Sequence, residues 1–300
     1  MRMALCLQNH GTALDEAVER IRAAAGSGYS TVWMGETGGW DPLTLLAVAG
    51  REVDGVALGT AVVRTLPRHP LALAAQALTA QAATGGRLIL GIGPSHRPLI
   101  EDAYGLSYAA PARNLREYLT ALRPLLRGEE ASQHGEHWTV AGRVDTPGTP
   151  APPVLISALG PRMLRLAGEL ADGTLTVWAG PATIGGVIAP ELHRAAEAAG
   201  RPGPEVVAAV PVCVTADPDG VREWTSARFG GIREKASYRA LLDQEGASSA
   251  GDTVVAGDEE QVARELRRFA DAGATEVQAI TVGTAEDQAR TEELLPRLAP

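Results

Sequence analysis

Short apolar runs alternate with amphipathic helical patterns along the whole chain. Residues 3–8 form the first run, and Leu14, Val18, Ile21 and Ala25 follow at helical spacing up to Gly26-Ser27-Gly28. Residues 31–35 read as a second strand, 42–53 as a helix and 56–62 as a third strand. Pro70 suits the first turn of a helix, where its missing N–H is not needed. Leu71, Ala75, Leu78 and Ala82 share one face behind it, and Gly85 ends that helix. Residues 87–92 make the fourth strand. The next helix spans 112–126, with Leu115, Leu119, Leu122 and Leu126 as its buried stripe and Pro124 expected to kink its last turn.

The alternation breaks at residues 134–144 (HGEHWTVAGRV), which predict two short strands closed by the proline-rich stretch 146–153. Residues 154–157, 173–178, 206–214 and 276–282 bring the candidate strands to eight. Helices are expected at 162–171, 182–199, 261–272 and 285–298, while 218–251 reads as a long irregular insertion. Helical crossovers make neighbouring strands parallel, and eight parallel strands close into a barrel. A doubly wound open sheet would want a glycine fingerprint after its first strand, yet Asn9-His10-Gly11-Thr12-Ala13 holds one glycine. The expected architecture is a (β/α)8 TIM barrel, one domain over 1–300, with insertions at about 128–153 and 218–251.

Composition narrows the function. A net charge of −9 argues against binding a nucleic-acid backbone, so a small-molecule substrate is expected instead. Cys6 and Cys213 stand alone in apolar strands and read as buried small hydrophobes, which suits a reducing cytoplasm. The amino terminus is too short in apolar residues for a signal peptide, and no run approaches the ~20 residues a bilayer requires. His134 and His137 have a paired-ligand spacing but no third ligand nearby in the sequence, so they read as surface residues and no metal is expected.

A barrel carries its chemistry at the carboxyl ends of its strands. Gln8, Asn9 and His10 arrive there, as do Glu36, Thr37 and Trp40, then Ala61, Val62 and Arg64. Gly93-Pro94-Ser95-His96-Arg97, the turn from Ser157 to Gly160, and Trp178 complete the set. In GGRLILGIGPSHR, Gly91 and Gly93 read as a floor of bare backbone against which a flat ligand can lie. His96 beside it suits acid/base work or a neutral hydrogen bond to a cofactor. SALGPRM, residues 157–163, reads either as an ordinary strand-to-helix turn or as an anion site, with Gly160 and Pro161 opening a helix and Arg162 adding charge. Glu36 can relay protons, and Trp40 can wall a planar ring.

These residues together resemble the bacterial luciferase-like flavin/deazaflavin superfamily, and within it the actinobacterial oxidoreductases that use coenzyme F420. The resemblance runs from Met1 to about Gly283. It is carried by LGTAVVRTLPRHPLALAAQALTAQAATGGRLILGIGPSHRP (58–98), PARNLREYLTALRPLLRGE (111–129) and PPVLISALGPRMLRLAGELADGTLTVWAGP (152–181). It implies a barrel whose third strand carries a non-prolyl cis peptide at Ala61–Val62, backing the cofactor ring. It places ring contacts at Gly93, Pro94, Ser95 and His96. The cofactor phosphate would lie near Ser157, Ala158, Leu159 and Gly160, with Arg64, Arg97 and Arg162 available to an anionic tail.

The implied activity is hydride transfer between coenzyme F420 and a small organic substrate. An FMN-dependent monooxygenase on the same barrel is one alternative, and a cofactor-free binding or non-redox protein another. His96 would be proton donor or ring anchor, Glu36 its alternative, and Gln8, Trp40 and Trp178 the substrate-pocket walls. The chain departs from the pattern at one pair: deazaflavin dehydrogenases of this superfamily keep a glutamate where His96 stands and a histidine where Glu36 stands. Relatives commonly dimerise through helices such as 70–84, so a homodimer is a further expectation.

Overall fold

A computed structural model describes residues 1–8 and 10–298. Eight parallel strands close on themselves: Arg2–Leu7, Thr31–Met34, Ala57–Thr60, Leu88–Gly93, Val154–Ser157, Gly173–Val177, Glu205–Val214 and Glu276–Thr281. Closure comes from the last strand pairing with the first, Arg2 opposite Glu276, which rules out the open doubly wound sheet. Helices Leu14–Ser27, Pro42–Glu52, Pro70–Ala83, Pro111–Leu126, Pro161–Leu170 and Glu259–Asp271 form crossovers, and Ala285–Leu298 follows the last strand. The barrel is a TIM barrel, as the alternation predicts.

Inside it, Ala4, Trp33, Leu155, Leu175 and Val207 form a separate apolar cluster. Trp33 is fully buried, and its ring fills the space a side chain at Gly59 would need. At the amino-terminal mouth Glu276 is 1% exposed and accepts from Trp33 Nε1 at 2.6 Å, Thr31 Oγ1 at 2.9 Å, Ser30 Oγ at 3.1 Å and Arg2 Nε at 3.1 Å. A buried carboxylate is tolerable only when its lone pairs are met in this way.

Three expectations change. The third strand does not run through residue 62: it stops at Thr60, passes the cis Ala61–Val62 bond, and resumes as Val63–Arg64 beside Ile92 and Gly93. The insertion read as irregular is largely helical, with Pro218–Arg228, a short 3-10 turn Gly230–Glu234 and Ala236–Glu245. Its apolar signal is thin because few of its residues are buried: Val221 and Thr225 in one helix, Tyr238, Leu241 and Leu242 in the other. Helix ends supply the order instead. Asp217 accepts from Gly220 N at 3.0 Å, and Gly246 closes the second helix at a left-handed φ of 69°.

A three-residue strand, Val255–Gly257, then pairs beside Val212–Val214 and is too short to read from sequence. The expected helix at 182–199 starts at Pro181 and passes through a widened turn at Ile184–Ile188 before Ala189–Ala198. Pro190 lacks the N–H that a regular turn would use there.

Candidate functional site

The fourth strand and the cis bond form the centre of the carboxyl-terminal mouth. Thr60 Oγ1 donates to Gly91 O at 2.7 Å and accepts from Gly91 N at 2.9 Å, tying the third strand to the fourth just before the cis bond. A side chain at Gly91 would collide with Thr60 O and Leu175; one at Gly93 would collide with Ser157 Oγ and reach Val62. The two glycines are therefore not a bare floor. They allow neighbouring strands and side chains of the barrel to approach, and protein already fills the space over each. The Ala61–Val62 peptide itself is cis, at the bond the resemblance singles out.

Glu36 sits under this bulge in a web of arginines. Its Oε2 accepts from Arg64 N at 2.8 Å, and Arg68 Nη1 lies 2.9 Å from both carboxylate oxygens. Arg64 Nη1 lies 3.3 Å from Oε1, and Arg64 Nη2 donates to the Glu36 carbonyl. Arg68 continues to Asp41 at 2.8 Å, and Asp41 caps the helix Pro42–Glu52 through Thr44 N at 2.9 Å. The side chains of Glu36, Arg64 and Arg68 are all less than one-fifth exposed. Both carboxylate oxygens are thus committed to cations, and the arrangement anchors the chain that leaves the cis bond. Arg64 is held by Glu36 and by Tyr104 OH at 3.1 Å.

His96 meets a partner from the insertion. Its Nε2 is 3.1 Å from Tyr238 OH, with the two rings edge-on at 5.5 Å. Ser95 beside it has a left-handed φ of 66°, and its carbonyl accepts from Tyr108 OH at 2.7 Å. Burial lowers the His96 pKa below its ordinary value, and the positive charge of Lys235 adds to the effect. The ring is therefore mostly neutral near pH 7. Trp178, also left-handed at φ 61°, is buried with its ring 5.2 Å from Phe229 of the insertion.

The turn after the fifth strand opens a helix as its sequence suggests. Gly160 is the N-cap and Pro161 the first residue of Pro161–Leu170, with no side-chain cap. Ala158 is buried and its backbone is held by Thr174 Oγ1, which lies 3.2 Å from both its N and its O. The N–H groups of Arg162 and Met163 have no acceptor within the helix, as at any helix start. Arg162 and Arg97 are exposed; Arg97 pairs with Glu101 at 2.6 Å and stacks over Tyr108.

Other named residues lie farther out. Trp40 is 45% exposed, and its Nε1 donates to Thr12 O at 2.9 Å. Gln8 and His10 are exposed, and Asn9 lies outside the described residues. His137 does have further ligand-capable neighbours, because the helix Pro111–Leu126 brings Glu117 next to it and to Glu136. Glu117 is occupied, however, by the amides of His137 and Trp138 at 2.8 and 3.2 Å, and Glu136 pairs with Arg113 at 2.7 Å.

Tyr238, Tyr108 and Arg68 were not legible as site residues. Each reaches the mouth from an element other than the strand ends. A cavity of about 370 Å³ opens at the opposite mouth, lined by Arg2, Trp33, Leu155, Arg201, Glu205 and Glu276. Its charges are paired among themselves, Arg2 with Glu205 and Glu276 and Arg201 with Asp172. Paired charges at the amino-terminal end of a barrel suit stability, whereas reactive groups belong at the other mouth.

The luciferase-like monooxygenase family matches residues 1–290. A putative coenzyme F420-dependent oxidoreductase of Mycobacterium tuberculosis is 28% identical, over 93% of this chain and 92% of its own length. The coenzyme F420-dependent tetrahydromethanopterin reductase of Methanopyrus kandleri has a TM-score of 0.85 at 22% identity, covering 99% of this chain and 98% of that one. The oxygenating constituent of 3,6-diketocamphane monooxygenase of Pseudomonas putida, solved with FMN, has a TM-score of 0.79 at 17% identity, covering 100% and 97%. At those identities the two structures speak for the fold alone. No helix among the described residues is long and apolar enough to cross a membrane. The family match extends over nearly the whole of a chain folded as this closed barrel, and the protein belongs to the luciferase-like monooxygenase family.

Proposed function

We propose that the protein is a coenzyme F420-dependent oxidoreductase acting on a small organic substrate. The observation that carries this reading is the uncapped helix start at Gly160-Pro161, which shares the mouth of the barrel with the cis Ala61–Val62 bulge. The free amides of Arg162 and Met163, at the positive end of a ten-residue helix, suit a phosphate. Among the described residues nothing lies within 4 Å of where a side chain at Gly160 would project, so a bulky anion has room. The choice of deazaflavin over flavin rests on the 28% identical relative, whose name specifies coenzyme F420.

When bound, the deazaflavin supplies a ring carbon that gives or accepts a hydride. The chain's own residues do the rest. The Ala61–Val62 bulge backs the ring, and Glu36 with Arg64 and Arg68 keeps that bulge in place. Trp178 and Phe229 wall the substrate side and exclude water. His96, neutral at pH 7, serves as a hydrogen-bond donor that orients a polar atom at the reacting centre.

Fluorescence titration of the purified protein with coenzyme F420 and, separately, with FMN tests the reading. Micromolar or tighter binding of the deazaflavin is expected, with weaker binding of FMN. Tight FMN binding without deazaflavin binding would move the protein to the oxygen-using branch of the family. Binding of neither would end the redox reading.

A further inference from the structure

The insertion between the seventh and eighth barrel strands also delivers a buried tyrosine to His96. Tyr238 is 7% exposed, and among the described residues its hydroxyl has one hydrogen-bond partner, His96 Nε2 at 3.1 Å. A buried phenol must donate its proton somewhere. If Nε2 carried a proton and donated to the phenol oxygen, the phenol proton would itself be left without an acceptor. With Nε2 as acceptor, both groups are satisfied by a single O–H···N bond.

We propose that Tyr238 is a positioning residue that holds His96 as a neutral imidazole with its proton on Nδ1. The insertion thereby decides which ring nitrogen can donate to the cofactor or substrate. The proposal rests on the assignment of His96 to the reacting mouth, but its chemistry is internal to the chain. Burial pushes the Tyr238 phenol up to about 12, so it remains a donor throughout the working range.

The surroundings are consistent from every side. Lys235, one turn before Tyr238, lies 5.4 Å over the Tyr238 ring and opposes a second positive charge on His96. On the chain segment of His96 itself, Arg97 is turned to Glu101 and Tyr108. Tyr108 has its own acceptor in the Ser95 carbonyl, so it does not compete for Nε2. The far end of the same insertion helix is fastened by Glu245 to the amide of Thr183 at 2.6 Å.

Long-range proton–nitrogen NMR on protein labelled in its histidines reads the tautomer directly, with the His96 signals identified by their loss in H96Q. The wild-type protein should show the proton on Nδ1 and a titration midpoint below that of the exposed histidines. Y238F keeps the ring and removes the hydroxyl. It should shift the tautomer toward Nε2–H and raise the midpoint by roughly half a unit to one unit, the effect of one hydrogen bond. K235M should raise the midpoint and leave the tautomer alone, which separates charge from hydrogen bonding.

A wild-type spectrum with the proton on Nε2 overturns the proposal, whether or not Y238F folds. So does a Y238F spectrum with tautomer and midpoint unchanged. Coenzyme F420 titrated into the same samples distinguishes the two readings. A wild-type protein that fails to bind it loses the proposed function and keeps the tautomer assignment.

Discussion

Two helices of this barrel start with the same two residues in nearly the same backbone shape, and the chain treats them oppositely. Gly160-Pro161 and Gly180-Pro181 both follow a barrel strand, with N-cap φ of −95° and −91°. At Gly180 the carboxylate of Glu245 accepts from Thr183 N at 2.6 Å and Ala182 N at 3.3 Å, and a side chain on the glycine would collide with it. At Gly160 there is, among the described residues, no side-chain cap and no neighbour within 4 Å of the missing Cβ. A helix start whose donors are met by the chain's own carboxylate is structural. One whose donors are left open at the carboxyl-terminal mouth is where the proposed function seats the cofactor phosphate.

The largest test of that contrast makes the open turn resemble the closed one. In G160D an aspartate at the N-cap accepts the first-turn amides itself, and the backbone there is already extended enough to take it. Deazaflavin affinity should fall roughly 100-fold, about the loss of two charge-assisted hydrogen bonds. Stability should rise by a few tenths of a kcal/mol at the same time, because aspartate caps better than glycine. Fluorescence titration and thermal melting read the two effects. Wild-type affinity in G160D would place the cofactor phosphate elsewhere.

The converse change opens the closed turn. E245A removes the cap from Thr183 and Ala182 and should cost about 1 kcal/mol by thermal melting, with deazaflavin affinity preserved within a few-fold. A collapse of cofactor binding in E245A would mean that the second turn, too, belongs to the cofactor site.

The distinction between these turns is invisible in the sequence, where LGP and AGP look alike. What separates them is Glu245, a residue 64 or more positions away in a stretch whose few buried residues give no clear period. The barrel was legible because it rests on local signals: short apolar runs, helix stops and proline starts repeat with the strand and helix periods. The helix start at Gly160 was legible for the same reason.

Glycines mark close approach, but not what approaches, so Gly91 and Gly93 read as a ligand floor when Thr60 and Ser157 occupy the space. Glu36 read as an acid because its two arginine partners, 28 and 32 residues on, become neighbours only through the crossover. Tyr238 lies 142 residues from His96, and no periodicity connects them.

The smallest effect asks whether the open and closed sides act separately. Because the folded protein holds the His96 pKa below its ordinary 6.5, the unfolded chain binds the proton more readily. The stability from keeping this ring neutral is complete above about pH 6.5. It is lost as pH falls from there toward the lower folded value, and the loss then levels off. After solvent screening the effect should be a few tenths of a kcal/mol, seen as a steeper decline in melting temperature between pH 7 and 5 in the wild type than in H96Q.

Glu245 sits two helical turns beyond Tyr238 on the insertion, far enough for independent effects to add. The difference between H96Q and its parent should therefore persist unchanged in an E245A background. If E245A abolishes it, the cap at Gly180 holds Tyr238 against His96, and the closed turn is part of the site rather than only of the scaffold.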